Sequence, residues 1–437
     1  MTRILPNSIL VAAVVWLLLM SLHDIFEQRQ ISRTSVMSIG AAMLCALALG
    51  WRRERKVNFS LLLVSVGLAL YLAEFVLLLV HLQGQRDERI SRLVEVLRTK
   101  GIDAFPALAP SQWLGADGLG KVFPLAGLAN VTTALCKEGE QPAIYPSDEH
   151  GFNNPRGTHS SDIDLVLVGD SFTHGACVNA GEDVGSRLRA LNWKVLNLGY
   201  ASDGPLLELG TLKEYGAPLK PKAVLWLYFE GNDLYDLEAE RRSSLLLQYL
   251  KAGFSQGLAA RQPEISQALR RFVQERSPNR TALERLRESE LFLTWRLSRL
   301  REVLSYATVG LPLLRTSAYR IDDPALFALF ETILTRARDT VASWGGTLYL
   351  VYLPSSLRYI DGVDHELLFS RGRVLSVAQQ LRVPVIDFHA AFQASGETPS
   401  TLFPYPGAHY SRQGYSLLAA TIDRSLAKGR APAASRP

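Results

Sequence analysis

Cysteine is scarce in this sequence, with three among 437 residues, and histidine occurs eight times. No spacing of His, Cys and Asp resembles a zinc or iron site. Residues 115–121 (GADGLGK) match the first part of a phosphate-binding loop, but Val122 stands where a Mg²⁺-binding Ser or Thr is needed. The sequence therefore predicts no metal, no nucleotide and no other cofactor.

A strong excess of one charge is also missing. Lys and Arg number 47 against 42 Asp and Glu, and the basic residues are scattered among acidic ones. The net charge of +5 favours anionic partners such as phospholipid headgroups only weakly. This distribution lacks the basic face of a nucleic-acid-binding protein, so no nucleic-acid partner is expected.

Long apolar runs, in contrast, are concentrated at the N-terminus, over residues 4–22, 35–51 and 59–82. Each approaches the length that a bilayer demands. A cleaved signal peptide and buried core helices are the alternatives, but no small-residue cleavage pattern follows Met20. We expect residues 1–82 to form a membrane anchor of three transmembrane helices, with the cell membrane as a partner.

The orientation of this anchor follows from residues 52–56 (RRERK), the densest short basic loop between the runs. Such loops remain in the cytoplasm. The prediction is a multi-pass inner-membrane protein with a cytoplasmic N-terminus and everything after about residue 83 in the periplasm.

The rest of the chain divides by composition. Residues 83–144 are predicted as an amphipathic helix and a Pro-, Gly- and Ala-rich linker (104–120) that lead into the next domain. Residues 145–428 form that domain, with a helical insertion at about 235–342, and residues 429–437 a disordered tail. Within the insertion, an Arg-rich helix over 281–306 fits either a lid over a pocket or a solvated amphipathic helix.

The domain is organised around Gly169-Asp170-Ser171, which follows the apolar, strand-like residues 165–168. Further strands are predicted at 194–199, 223–229, 346–353 and 383–387, separated mostly by helical patterns. Strands that alternate with helices indicate an α/β fold with a doubly wound parallel sheet. The carboxyl ends of its strands would bring Ser171, Gly199 and Asn232 to one edge.

These strand ends carry motifs that resemble the SGNH (GDSL-like) hydrolases. The motifs are Gly169-Asp170-Ser171, Gly199, Gly231-Asn232-Asp233 and His409, in that order, and the resemblance covers about residues 145–425. It implies that Ser171 is a nucleophile and His409 its general base. It also implies an oxyanion hole formed by the N–H groups of Ser171 and Gly199 and the Asn232 side chain.

Three neighbours of these residues are predicted to support the site: Asp170, His174 and Asp233. His174 comes three residues after Ser171, so a helix starting there places both on one face. We expect His174 to line the pocket rather than to act as the base.

One position departs from the family pattern. The family usually carries Asp three residues before the histidine, and Pro406 occupies that place here. A backbone carbonyl or a remote acid such as Asp387 could orient the imidazole instead. The working model is a Ser171–His409 dyad.

Two of the cysteines, Cys136 and Cys177, lie in the part of the chain predicted to be outside the cytoplasm, where disulfides persist. One hypothesis is a disulfide that holds the lead-in segment near the active-site loop. Two unrelated free thiols are the other, since spacing alone does not establish proximity.

The expected function is a membrane-anchored esterase that hydrolyses an ester, such as an O-acetyl group, of a cell-envelope glycan or lipid. An O-acyltransferase with the same residues, supplied by a membrane-bound acyl-transfer partner of unknown identity, is an alternative. A catalytically weak glycan-binding or assembly subunit is another, motivated by Pro406. Labelling of Ser171 by a fluorophosphonate would separate the enzymes from the binding subunit.

Overall fold

The computed structural model describes residues 4–28, 33–84, 86–136, 142–160, 162–276, 290–301, 323–360, 369–405 and 407–427. The chain divides into two compact units. The first comprises residues 1–85 and 279–320, and the second comprises residues 86–278 and 321–437.

Helices and strands alternate along most of the chain. The strands are β1 (Ala104–Pro106), β2 (Thr132–Cys136), β3 (Ala143–Pro146), β4 (Leu165–Gly169), β5 (Val195–Asn197), β6 (Ala223–Phe229), β7 (Thr347–Leu353) and β8 (Val385–Asp387). The α-helices are α1 (Ile4–Gln28), α2 (Arg33–Ala48), α3 (Arg53–Gly84), α4 (Arg86–Thr99), α5 (Ser171–His174), α6 (Val184–Ala190), α7 (Pro205–Thr211), α8 (Asp233–Glu240), α9 (Gln262–Arg276), α10 (Glu290–Trp295), α11 (Pro324–Ala342), α12 (Arg371–Gln380), α13 (Phe388–Ser395), α14 (Pro399–Leu402) and α15 (Arg412–Ala427).

In the first unit, two helices are long and apolar enough to cross a membrane: Leu5–Ile25 within α1 and Arg53–Leu79 within α3. The third predicted span corresponds to a shorter apolar helix, Ser35–Ala48, within α2. Many apolar side chains of these helices are exposed, for example Leu61 and Leu68. By length and composition, two spans rather than three meet the requirement of a bilayer.

The segment that includes α10 contacts these apolar helices through ion pairs. Glu74 of α3 is buried, and it accepts hydrogen bonds from Arg299 Nη1 at 3.2 Å and from the Leu300 N–H at 2.7 Å. Asp24 of α1 accepts a hydrogen bond from Arg301 Nη2 at 2.6 Å. The described part of the Arg-rich helix is therefore not simply solvated, because its arginines neutralise acids of α1 and α3. The rest of that predicted helix lies outside the described residues.

In the second unit, five parallel strands form a sheet in the order β5-β4-β6-β7-β8. The predicted doubly wound parallel sheet is confirmed. The chain runs from β4 to β5 on one side of it and then from β5 past β4 to β6 on its other side. The strand order therefore reverses at β4, and ligands of such sheets bind outside the carboxyl ends of the strands at this point. Ser171 follows β4 directly.

Both faces of this sheet are buried, and successive residues of each strand pack on opposite faces. Val166 and Val168 of β4 pack with α7 and α11, whereas Leu165 and Leu167 pack with α6 and α15. Because both faces are covered by helices, β4 is apolar along its whole length. The predicted insertion between β6 and β7 holds α8 to α11.

The predicted linker at 104–120 is wrong. Residues 104–106 form β1, which pairs with β2 in a three-stranded sheet of order β1-β2-β3, and Trp113 is buried. The strand is only three residues long and its pairing partner is 28 positions away (Ala104 with Thr132), so local composition did not reveal it. The amphipathic helix that precedes it is confirmed as α4, which buries Ile90 and Val94. The predicted disordered tail at 429–437 lies outside the described residues.

Candidate active site

The turn after β4 presents Ser171 at the carboxyl edge of the sheet. Asp170 caps the short helix α5, because its Oδ1 accepts the Phe172 N–H at 2.9 Å. Gly169 precedes it with φ +156°, and a Cβ there would lie 2.1 Å from Thr173 Oγ1 and 2.8 Å from the Leu227 carbonyl oxygen. Only glycine fits this close approach, so the Gly-Asp-Ser turn is fixed by packing as well as by its cap.

His409 lies beside this serine although 238 positions separate them, with its Nε2 2.9 Å from Ser171 Oγ. Both side chains are half-buried. The His409 ring packs against Phe172, with 4.9 Å between ring centroids, and the next residue anchors its segment because Tyr410 donates its hydroxyl to the Pro354 carbonyl at 2.9 Å. The two residues are in the geometry of a nucleophile and its general base.

On the other side of the imidazole, His409 Nδ1 lies 3.6 Å from Cys177 Sγ. Cys177 is bonded to Cys136 in a disulfide, with 5.3 Å between the Cα atoms. The disulfide hypothesis is confirmed, and the alternative of two free thiols is excluded.

Two means of orienting the imidazole were suggested from the sequence, a backbone carbonyl and Asp387. Pro406, which occupies the place of the family's Asp, lies outside the described residues. Asp387 caps α13 by accepting the Ala390 N–H at 3.1 Å, and it forms an ion pair with Arg371. The suggestion that Asp387 orients His409 therefore receives no support from its contacts.

His174 is completely buried, and both of its ring nitrogens have partners. Nδ1 accepts the Ala201 N–H at 3.1 Å, so the ring proton is on Nε2, which lies 2.7 Å from the Tyr145 hydroxyl. Burial, and secondarily the nearby His409, lowers the pKa of His174 to about 3. His174 is therefore neutral at physiological pH and is tied to a backbone amide and Tyr145 beneath the surface of the site, as a supporting rather than a basic residue.

Two of the three predicted oxyanion donors have internal acceptors. The Gly199 N–H donates to Asn197 Oδ1 at 2.9 Å. A Cβ at Gly199 would lie 2.4 Å from Thr173 Cβ and 2.7 Å from the His174 nitrogen, so close packing against α5 accounts for the glycine. Asn232 Nδ2 donates to Asp236 Oδ2 at 3.0 Å, and Asn232 also hydrogen-bonds to Asp170.

The loop after β5 contains another backbone N–H group to consider as an oxyanion donor. The N–H groups of Ala201 and Asp203 donate to His174 Nδ1 and the Tyr200 carbonyl. In the described part of the chain, the backbone N–H groups of Ser171 and Ser202 make no hydrogen bond. Ser202 has φ +62°, a left-handed conformation that is uncommon without glycine. Sequence reasoning missed Ser202 because its only signal is this backbone conformation.

Behind the site, buried carboxyl groups crowd together near α7 and α8. Five of them, Asp170, Asp203, Glu208, Asp233 and Glu240, are buried, and the sixth, Asp236, is half-buried. Burial is the main cause that raises the pKa of each, and neighbouring carboxylates add to it for most of them. The pKa of Asp170 rises to about 6 and that of Glu240 to about 7. Asp233 also accepts the Phe229 N–H at 3.0 Å, so this supporting residue fixes the end of β6.

These raised pKa values predict that the protein is less stable at higher pH. A carboxyl group whose pKa is higher in the folded state than in the unfolded state, where it is near 4.5 for Glu, stabilises the fold at low pH. This contribution is complete below the unfolded-state pKa and is lost as the pH rises through the folded-state pKa. For Glu240 the folded-state pKa is about 7, and its difference from the unfolded-state pKa corresponds to roughly 3 kcal/mol of folding stability. We expect the melting temperature to fall between pH 5 and pH 8.

Asp203→Asn is the matched test of this cause, because both Asp203 carboxyl oxygens are buried without a hydrogen-bond partner among the described residues. The variant removes the ionisation and keeps the shape. It should therefore raise the melting temperature more at pH 8 than at pH 5. A melting temperature that increases with pH in the wild type, or an equal effect of the variant at both pH values, would contradict this explanation.

Comparison with known proteins supplies similarity at the level of structure only. No family model and no curated protein matches the chain. Among solved structures it is similar to a member of the lipolytic protein G-D-S-L family from Veillonella parvula, at 12% identity and a TM-score of 0.33, covering 61% of this chain and 99% of that one.

Two further structures match comparably. A lipase/acylhydrolase from Enterococcus faecalis is 17% identical with a TM-score of 0.33, covering 62% of this chain and 100% of that one. A catalytic mutant of an acetylxylan esterase from Geobacillus stearothermophilus is 16% identical with a TM-score of 0.33, covering 63% and 98%. The Veillonella parvula structure thus carries the family name that the motifs predicted. At these scores the matches add no argument about activity, which has to be made from the site.

Proposed function

We propose that this chain is a serine esterase of the SGNH type, with Ser171 as the nucleophile and His409 as the general base. The observation that carries the proposal is the 2.9 Å contact between Ser171 Oγ and His409 Nε2 at the carboxyl edge of the sheet. A hydroxyl at its ordinary pKa is a weak nucleophile and needs such a base.

The reaction would proceed in two steps. His409 Nε2 takes the Ser171 hydroxyl proton while Oγ attacks the ester carbonyl carbon, and the proton then passes to the departing alkoxide as the carbon–oxygen bond breaks. This step leaves an acyl-Ser171 ester and a free alcohol. Water, deprotonated by the same Nε2, then attacks the acyl carbon, releasing the carboxylic acid and restoring Ser171.

The oxyanion of each tetrahedral intermediate needs hydrogen-bond donors that are free before the reaction. Of the donors expected from the sequence, the Ser171 N–H meets this condition, whereas the Gly199 amide already donates to Asn197. We assign the second donor to the Ser202 N–H, in the loop that also contacts His174 through Ala201. Asn232 would hold Asp170 and Asp236 in place rather than contact the oxyanion.

The proposed substrate is an ester, such as an O-acetyl group, of an envelope glycan or lipid in the periplasm. Two features support this location. The Cys136–Cys177 disulfide fits an oxidising compartment, and the apolar helices of the first unit would hold the chain at a membrane. With α2 as a third span, the basic loop 52–56 would lie in the cytoplasm.

The location has a direct test. The full chain should remain in the membrane fraction after alkaline carbonate washing. Added protease should cleave the second unit in spheroplasts but not in intact cells. Extraction by carbonate, or protection in spheroplasts, would overturn the proposed topology.

The activity is tested with the full chain in detergent, using p-nitrophenyl acetate and O-acetylated envelope polysaccharide. We expect release of p-nitrophenol and of acetate by the wild type, and loss of both in Ser171→Ala. Ser343→Ala is the control, because Ser343 is exposed just before β7, at the opposite edge of the sheet. Absence of release by the wild type, or release that persists in Ser171→Ala, would reject the esterase proposal.

A further inference from the structure

We propose that residues 290–301 are embedded in the membrane, as a segment of the anchor that contacts the hydrocarbon of the periplasmic leaflet. These residues come from the insertion between β6 and β7, yet they belong to the first unit. The proposal rests on the proposed membrane location and does not depend on the esterase activity. The partner of this segment is lipid, and Glu74 of α3 is the group that holds the segment in place.

The orientation of the anchor shows at which end of its helices the segment lies. Lys56 Nζ, at the start of α3, donates to Asn7 Oδ1, at the start of α1, at 3.0 Å. Farther along both helices, the ring centroids of Trp16 and Tyr71 are 6.4 Å apart. The two helices therefore run side by side in the same direction. With the basic loop 52–56 in the cytoplasm, as proposed, the carboxyl-terminal ends of both lie toward the periplasm.

The contacts of the segment on α3 fall inside the apolar stretch Arg53–Leu79. The Tyr71 hydroxyl donates to the Trp295 carbonyl oxygen at 3.0 Å, and Glu74 accepts hydrogen bonds from the same segment. At 1.5 Å per residue, these two positions lie about 12 and about 7 Å before Leu79 along the helix. In a hydrocarbon layer of about 30 Å, that depth corresponds to the periplasmic half.

The segment is a broken helix. The first part, α10, ends at Trp295, and Leu297 has φ +52°, in the left-handed region. A further helical turn follows from residue 298. Such a break frees backbone N–H and C=O groups, which water cannot satisfy inside a bilayer. Broken helices occur at that depth only where other parts of the protein bond to the freed groups.

Side chains of α3 provide bonds of this kind on both sides of the break. Before the break, Tyr71 donates to the Trp295 carbonyl. After the break, the Glu74 carboxylate accepts the Arg299 N–H at 3.2 Å and the Leu300 N–H at 2.7 Å. The segment is thus bonded to α3 as a re-entrant element is bonded to its neighbours in a membrane.

The charges of the segment complement acids in the apolar stretches. Asp24 and Glu74 are both buried, and a carboxylate at membrane depth is costly unless it is paired. Arg299 Nη1 lies 3.2 Å from Glu74. Arg301 Nη2 lies 2.6 Å and Arg296 Nη2 lies 3.4 Å from Asp24. Each acid therefore has a cation from this segment, which explains why an apolar anchor tolerates both.

Apolar side chains remain for contact with lipid. Phe292, Leu293 and Trp295 of α10 are half-buried, and Leu68 and Leu72 of α3 stay exposed. Tryptophan is enriched where the hydrocarbon meets the headgroups. A membrane-embedded segment here means that the second unit is joined to the anchor by three chain connections, after residues 85, 278 and 320.

The depth of the segment can be measured with a fluorescent label on the full chain in lipid nanodiscs, which leave both faces of the bilayer open to solvent. Bimane is attached to Ser298→Cys in a Cys45→Ala background, with the Cys136–Cys177 disulfide intact. We expect quenching by lipids brominated in the acyl chain and little quenching by aqueous iodide. Label at Ser343→Cys, an exposed position of the second unit, is the control for water and should show the opposite pattern.

Label at Leu68→Cys, in the apolar stretch of α3, is the control for lipid and separates the two ways of failing. Iodide quenching at 298 as strong as at 343, or no quenching by brominated lipid at 298 while it occurs at 68, would overturn the proposal alone. Absence of brominated-lipid quenching at 68 would be a failure of the proposed membrane location, and the proposal would fall with it.

The role of Glu74 is tested by Glu74→Leu, which removes the acceptor and makes α3 more apolar, so insertion of the helix itself is not impaired. We expect the label at 298 to lose its quenching by brominated lipid and to reach the iodide quenching measured at 343. Glu54→Leu is the matched control, because Glu54 is exposed at the other end of α3, and it should change neither. An unchanged pattern in Glu74→Leu would overturn the assignment of Glu74 as the group that holds the segment.

Discussion

Replacing Ser171 and His409 together with alanine should cost no more activity than replacing Ser171 alone. The two side chains act as one unit, because the hydroxyl is reactive only when Nε2, 2.9 Å away, takes its proton. In serine hydrolases, loss of either member typically lowers kcat by about four to six orders of magnitude, and the losses do not add. We therefore expect Ser171→Ala, His409→Ala and the double variant to have the same residual rate.

The measurement is kcat for p-nitrophenyl acetate with the three variants, at equal protein concentration and with the background hydrolysis subtracted. His389→Ala serves as the matched histidine control, since His389 Nδ1 contacts the Tyr359 hydroxyl at 3.1 Å rather than the serine. Losses that multiply in the double variant would mean that Ser171 and His409 act independently. That result would contradict the dyad.

Arg358→Met should destabilise the protein by about 3–5 kcal/mol, because it leaves a buried carboxylate without its cation. Glu230 is fully buried directly after β6, one residue before Gly231-Asn232. Its carboxylate accepts hydrogen bonds from Arg358 Nε and the Ser355 N–H, both at 2.7 Å, and from the Tyr352 hydroxyl. Burial raises the pKa of Glu230, and Arg358 partly offsets that increase.

The double variant that combines Glu230→Gln with Arg358→Met isolates the contribution of this ion pair. The double variant removes both charges, so it should regain part of the stability that Arg358→Met loses. Thermal unfolding of the full chain in one detergent gives the order of the melting temperatures. A melting temperature of Arg358→Met close to that of the wild type, or no recovery in the double variant, would show that the ion pair does not hold the loops after β6 and β7 together.

The elements of the sheet were predictable because their signals are local. The apolar run 165–168, the Gly-Asp-Ser turn and the apolar 223–229 segment each depend on neighbours in sequence, and all three form as predicted. The pairing of Ser171 with His409 was also predicted, as an implication of the resemblance of the motifs to the SGNH hydrolases. The structure places these two side chains in contact.

Partners that depend on side-chain conformation were not predictable. The Gly199 amide was expected to face the substrate, but the Asn197 side chain, two residues earlier, accepts its hydrogen. Asn232 likewise donates to Asp236, one turn along α8. The contact of Cys177 with His409 joins positions 232 residues apart, and no feature of either residue's local sequence indicates it.

The structure of the chain after reaction with a fluorophosphonate tests the central claim most directly. The esterase account predicts phosphorus bonded to Ser171 Oγ, with the phosphonyl oxygen within about 3 Å of the Ser171 and Ser202 nitrogens and His409 Nε2 still facing the adduct. No adduct on the folded, oxidised chain, or an adduct on a residue other than Ser171, would contradict it.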